Sequence, residues 1–202
     1  MFPYLEIGSL RIYMTGIGIL LFLITFLFIA KKYAHKYKLP FDHFLKKFPL
    51  YLVITYITST YVWYLVEEFV VFPLDREYIL LYLSPYDYAF HYIGILLDFL
   101  ISGIWFLRSI PTSHEKKRWV DVFCHAITTA LIPLGIFLLL GDNFIGQTTN
   151  GSFFVSAIKE DSQVAAFDKV FPVGLLVSLW GVLGHIVLNF WEHRRRQGFG
   201  FL

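Results

Sequence analysis

The sequence holds one cysteine, Cys124, in 202 residues. A single thiol excludes an internal disulfide and a thiolate metal cluster. Among apolar neighbours it is expected to pack as a small hydrophobe. Charge is scarce too: charged residues make up 16% of the chain and hydrophobic ones 57%, too little charge to cover a soluble domain of this length. The sequence shows no internal repeat and no separable polar domain, so 1–202 reads as a single integral membrane domain. The basic residues do not gather into a domain-wide patch, which excludes nucleic-acid binding. The N-terminus lacks the basic region of a cleaved signal peptide, and the first apolar run reads as a retained span.

Long apolar runs are what the sequence does have. They fall at about 12–30, 48–66, 88–107, 119–140 and 171–191. A helix of about 20 residues rises roughly 30 Å, the thickness of the hydrocarbon core. Dyad alternation, the mark of a membrane barrel, is missing. The expectation is an all-α, polytopic membrane bundle of about five transmembrane helices. Basic residues orient it. Segment 31–47 carries six lysines, 108–118 carries Arg108, Lys116, Lys117 and Arg118, and the tail adds Arg194, Arg195 and Arg196, so 13 of 17 basic residues share one side. By the positive-inside rule that side, with the C-terminus, is cytoplasmic. The N-terminus, loop 67–87 and loop 141–170 then face outward.

Ionisable residues within spans are costly and draw attention as functional candidates. His91 and Asp98 lie seven residues apart, on one helix face. Asp121 and His125 form an i, i+4 pair near the inner end of the fourth span, where Asp121 is expected to pair with Lys117 or Arg118. His125 and His185 can face each other in the inner half, but two histidines do not make a metal site. Asp98, Asp121 and His125 would serve an ion or proton transporter, a reading that lacks the discontinuous spans and inverted repeats of that class. Thr55 and Ser59 suit helix packing. The most polar outward stretch is "LLLGDNFIGQTTNG", residues 138–151. It opens a loop of about thirty residues, longer than a plain connection needs.

Several of these pieces, in order, resemble the prolipoprotein diacylglyceryl transferase family. "IGSLRIYMTGIGILLFL" is similar to the start of its first span, and "AFHYIGILLDFLISGIWFLR" to its Phe-His-Gly-Gly segment. "ALIPLGIFLLLGDNFIGQTTNG" resembles its outward signature, and "VFPVGLLVSLWGVL" the opening of the span that follows. The likeness covers about residues 4–200, and "RRRQGFGFL" reads as the approach to a further apolar segment.

The resemblance implies transfer of a diacylglyceryl group from phosphatidylglycerol to the lipobox cysteine of a prolipoprotein at a bacterial plasma membrane. No cofactor or metal takes part. The implied partners are the phospholipid and the prolipoprotein signal peptide. Such chemistry needs cations for the lipid phosphate and a base for the thiol proton. On the matching positions, His91 and Asn143 are the catalytic candidates. Tyr13, Arg11, Asp142 and Gly151 are the substrate-binding ones. Pro133, Gly135, Phe144 and Ile145 also keep register. Leu140, however, stands at the signature arginine, Asp142 at a glycine and Thr58 at a second-span arginine. Leucine cannot replace the bidentate fork of a guanidinium; of the remaining outward cations, Arg11, Arg76, Lys159 and Lys169, Arg11 is the best placed to substitute. Two readings follow: an enzyme retaining the reaction, or a non-catalytic relative that binds lipid or a lipoprotein.

Overall fold

The fold was obtained as a computed structural model that describes residues 4–7, 10–57, 101–141, 152, 154 and 169–196. These residues are mostly helical. Among the described residues three helices are long and apolar enough to cross a membrane: Met14–Lys36, Ser113–Leu140 and Val173–Arg194.

The chain opens with a small antiparallel hairpin. Strand β1 (Tyr4–Ile7) pairs with β2 (Leu10–Tyr13), with Tyr4 opposite Tyr13 and Glu6 opposite Arg11. Apolar and β-branched residues alternate here around Gly8-Ser9, the composition of a two-residue hairpin loop. The hairpin corrects the expected first span: helix α1 starts at Met14, not 12, and runs through the lysines to Lys36. His35 and Lys36 occupy its last turn, where cations complement the negative end of the helix dipole. Tyr37 closes the helix by donating its backbone N–H to the Tyr33 carbonyl at 2.9 Å. Lys38 follows at φ 58°, a left-handed turn that glycine usually fills. Pro40 then stops any continuation.

Helix α2 (Phe41–Ile57) begins seven residues before the expected second span and contains Pro49. Its Phe41, Phe44, Phe48 and Tyr51 form a buried stripe at helical spacing. Residues 101–108 are helical; the rest of the 48–66 and 88–107 stretches lies outside the described residues. Helix α3 (Ser113–Leu140) starts earlier than the expected 119. Thr112 accepts the Glu115 backbone N–H at 3.3 Å, and Thr-x-x-Glu is the spacing of a capping box, which starts a helix before its apolar face begins. Helix α4 (Val173–Arg196) follows buried Pro172 and outlasts the expected 171–191 by five residues.

The chain divides into two compact units. One combines Met1–Lys38 with Val120–Leu202, and the other is Leu39–Trp119. The second has an aromatic core: Phe106 meets Trp119 edge-on at 4.9 Å and Phe44 at 5.3 Å, and Phe106 and Trp119 are each 1% exposed.

In the first unit α3 and α4 touch backbone to backbone. A Cβ added to Gly135 would strike the Gly174 carbonyl oxygen, and one added to Gly181 would lie 2.7 Å from the Thr128 carbonyl oxygen. The Ser178 hydroxyl donates to the Ile132 carbonyl at 2.8 Å, just ahead of Pro133. Small residues and interhelical hydrogen bonds are how helices associate where lipid removes the hydrophobic drive. Helix α1 joins them through Gly18, which lies under Phe137, and through stacked Phe26 and Phe123. Apolar side chains also point outward. Trp180, Ile186, Val187, Phe190 and Trp191 of α4 are all exposed, as helices that face lipid require. Cys124 is exposed as well, which corrects its expected core packing: its helix turns Val122, His125 and Ala126 inward instead.

Candidate functional site

Of the site residues that the sequence singled out, Tyr13 and Arg11 lie where β2 leads into α1. Tyr13 is the last residue of β2 and the residue just before α1. Its ring is 60% exposed and meets Tyr4 edge-on at 6.1 Å. Arg11 lies two residues earlier in β2, opposite Glu6. His91, Asp98, Asn143, Asp142 and Gly151 lie outside the described residues.

What leads into the polar stretch is described. Gly141, which closes α3, donates its backbone N–H to the Phe137 carbonyl at 2.9 Å. A Cβ on Gly141 would strike the Thr15 hydroxyl and lie 3.0 Å from the Thr15 nitrogen. Only glycine allows so close an approach. The end of β2 and the start of α1 thus abut the point where residues 142–151 leave α3. Helix α4 joins the same end: a Cβ on Gly174 would lie 2.7 Å from the Leu139 nitrogen. Lys169, four residues before α4, places its ammonium 4.4 Å above the Phe154 ring, a cation–π contact. Leu140 is half-buried at this junction and offers no donor to a phosphate.

A second polar group lies toward the opposite end of the unit, where α1 finishes. The Tyr33 and His125 rings stack at 4.0 Å and 13°. His185 meets His125 edge-on at 6.4 Å, and its Nδ1 lies 2.9 Å from the Thr129 hydroxyl. The Tyr33 hydroxyl donates to Asn189 Oδ1 at 3.3 Å. Beyond it, Glu192 accepts from Lys36 Nζ at 2.6 Å and from the Tyr37 hydroxyl at 3.0 Å. The sequence placed His125 opposite His185, and the two do meet. It gave no sign of Tyr33, Asn189 or the Lys36–Glu192 pair. The signal available was the spacing of Ser178, Gly181, His185, Asn189 and Glu192, which lie along one side of α4 at three-, four- and seven-residue steps.

Burial pushes the Tyr37 phenol well above its ordinary value, and the hydrogen bond to the Glu192 carboxylate adds to the shift. Among the described residues no cluster of three or more His, Cys, Asp or Glu could hold a metal ion. Comparison with known protein families, curated proteins and solved structures finds no match to this chain.

Proposed function

We propose that the chain is a multi-pass protein of a bacterial plasma membrane, with about five spans, an outward N-terminus and a cytoplasmic C-terminus. Its function is to bind an anionic phospholipid headgroup, phosphatidylglycerol, at the outward ends of α1 and α3. The reaction proposed there is diacylglyceryl transfer to a prolipoprotein cysteine: the sulfur–carbon bond forms as the glyceryl carbon–oxygen bond to phosphate breaks, and glycerol phosphate leaves. The observation that supports this reading is the contact of Gly141 with Thr15. Thr15 lies two residues after Tyr13 and Gly141 is the residue before Asp142, so the contact joins the described ends of two sequence elements that carry the family likeness. His91 would take the thiol proton and Asn143 would hold the headgroup, with Arg11 supplying positive charge.

A second reading is favoured by Leu140. Without the arginine the site holds a lipid, or a lipoprotein signal peptide, and does not transfer the diacylglyceryl group. One pair of experiments separates the two. Expression in a transferase-depleted bacterium should restore lipoprotein lipidation if the reaction is retained, and His91→Ala and Asn143→Ala should each abolish the rescue. Native mass spectrometry of the purified protein should show phosphatidylglycerol bound under either reading. No rescue with lipid bound selects the non-catalytic relative. No rescue and no lipid ends both.

A further inference from the structure

The end of the first unit where α1 and α4 finish carries positive charge that its own contacts leave over. Two acids lie there among the described residues, and both are half-buried. Glu192 accepts from Lys36 Nζ at 2.6 Å and from the Tyr37 hydroxyl at 3.0 Å. Asp121 lies near enough to Tyr37 for its charge to oppose ionisation of the phenol. Lys31, Lys32, Lys38 and Arg194 are exposed, with His35 and His193 exposed beside them. None of those four cations forms an ion pair among the described residues. The Tyr33–Asn189 and Lys36–Glu192 contacts keep the same offset along both helices, so α1 and α4 run parallel and level here. On that scale Lys31 and Lys32 lie about 6–8 Å deeper than Lys36, and Arg194 about 3 Å beyond Glu192. The cations thus occupy a band about 10 Å deep at the end of the two helices.

Next to the band the surface is apolar. Phe28, one turn before Lys31 and Lys32, is 68% exposed, and Ile186, Val187 and Phe190 are exposed on α4. The Arg194 guanidinium lies 4.5 Å over the Phe190 ring, a cation–π contact that holds its charge at the edge of the apolar surface. An acidic protein or a nucleic acid would use the cations and leave these side chains in water. A phospholipid uses both, with acyl chains along the apolar side chains and its phosphate among the cations. The polar layer of a leaflet is about 5–8 Å thick, and long basic side chains reach toward it from below, so the depth of the band matches. We propose that this end of α1 and α4 binds anionic phospholipids of the leaflet it reaches, in preference to zwitterionic ones. The proposed orientation makes that the cytoplasmic leaflet, whose anionic lipids attract basic residues near its surface. The surface lies at the opposite end of the helices from the proposed phosphatidylglycerol site and stands whether or not that site holds lipid.

The test is photo-crosslinking of the full chain in phosphatidylcholine vesicles that hold a trace of a photoreactive lipid. Two probes are compared, phosphatidic acid and phosphatidylcholine, each with the same diazirine on the acyl chain beside the glycerol. Phosphatidic acid is anionic but lacks the glycerol headgroup of the lipid proposed for the outward site. The labelled residues are mapped by mass spectrometry, which separates the two ends of the helices. Each basic residue at an anionic surface is worth a factor of about five. Phosphatidic acid should therefore label the last three turns of α1 and α4 at least about fivefold more than phosphatidylcholine does. Joint replacement of Lys31, Lys32 and Arg194 by glutamine should bring the ratio close to one. Salt at about 1 M, where charges are screened within about 3 Å, should do the same. Three results would overturn the proposal: equal labelling by the two probes, a preference that survives the triple replacement, or a preference confined to the outward end. The first and third are read in the unmodified protein, so a variant that fails to fold leaves the test intact.

Discussion

Replacing Gly135 by alanine tests the α3–α4 seam directly. In an exposed helix interior the same change stabilises by about 1 kcal/mol, because alanine is the better helix former. Gly16 supplies that reference, since a Cβ there meets nothing within 4 Å. At Gly135 the added carbon would strike the Gly174 carbonyl oxygen and lie 2.5 Å from Ser178 Oγ and 2.6 Å from the Ser178 nitrogen. Two of these atoms are backbone, so no rotamer change relieves the clash. Helix α4 would have to retreat by roughly 1 Å to reach an ordinary van der Waals separation. That retreat would also stretch the 2.8 Å bond from Ser178 to the Ile132 carbonyl. Overpacking of this kind costs about 1–3 kcal/mol. The two variants should therefore move in opposite directions, with Gly16→Ala above the unmodified protein and Gly135→Ala below it. The assay is equilibrium unfolding in mixed detergent micelles, followed by tryptophan fluorescence. If Gly135→Ala is as stable as Gly16→Ala, the two backbones do not touch there and the packing argument fails.

Lys38→Gly should stabilise the protein by about 0.5–1 kcal/mol in the same assay, since it relieves a left-handed lysine at the end of α1. Trp119→Ala should cost about 3–5 kcal/mol, because the indole is fully buried against Phe44 and Phe106; a loss below 1 kcal/mol would refute that core. Tyr37 makes stability depend on alkaline pH. Its phenol is raised in the folded state, so the stabilisation it lends is complete below the ordinary value near 10 and is lost as pH climbs through the window above it. In Glu192→Gln the tyrosinate absorbance should begin to rise at lower pH than in the unmodified protein, and an unchanged titration would refute the Tyr37–Glu192 contact.

Runs of apolar residues made the three long helices legible, because a 20-residue hydrophobic stretch has few other physical solutions. Their ends were less legible, for reasons that differ from helix to helix. At α1 the apolar count begins inside a hairpin, since Ile12 and Tyr13 suit a strand and a span equally well. At α3 the charges of 114–118 hid a capping box that starts the helix within the basic segment. At α1 and α4 the terminal cations read as loop, yet cations are what a helix C-terminus favours. The proposed lipid site was read from resemblance alone; of its residues the structure describes Tyr13 and the strand position of Arg11, beside the Gly141–Thr15 contact. The Tyr33–His125–His185 group needed the fold. Tyr33 and Asn189 are 156 residues apart, and no local pattern links them. Only the small-residue face of α4 could have pointed to it.

Trp180 and Trp191 of α4 are 71% and 60% exposed. Eleven residues of helix separate them along the axis by about 16 Å. The protein thus carries two native optical markers at different heights on one rod. Quenching by lipids brominated at known depths, read in variants that keep one of these two indoles as the single tryptophan of the five, would fix how deep α4 sits and how far it leans, with no label attached to the chain.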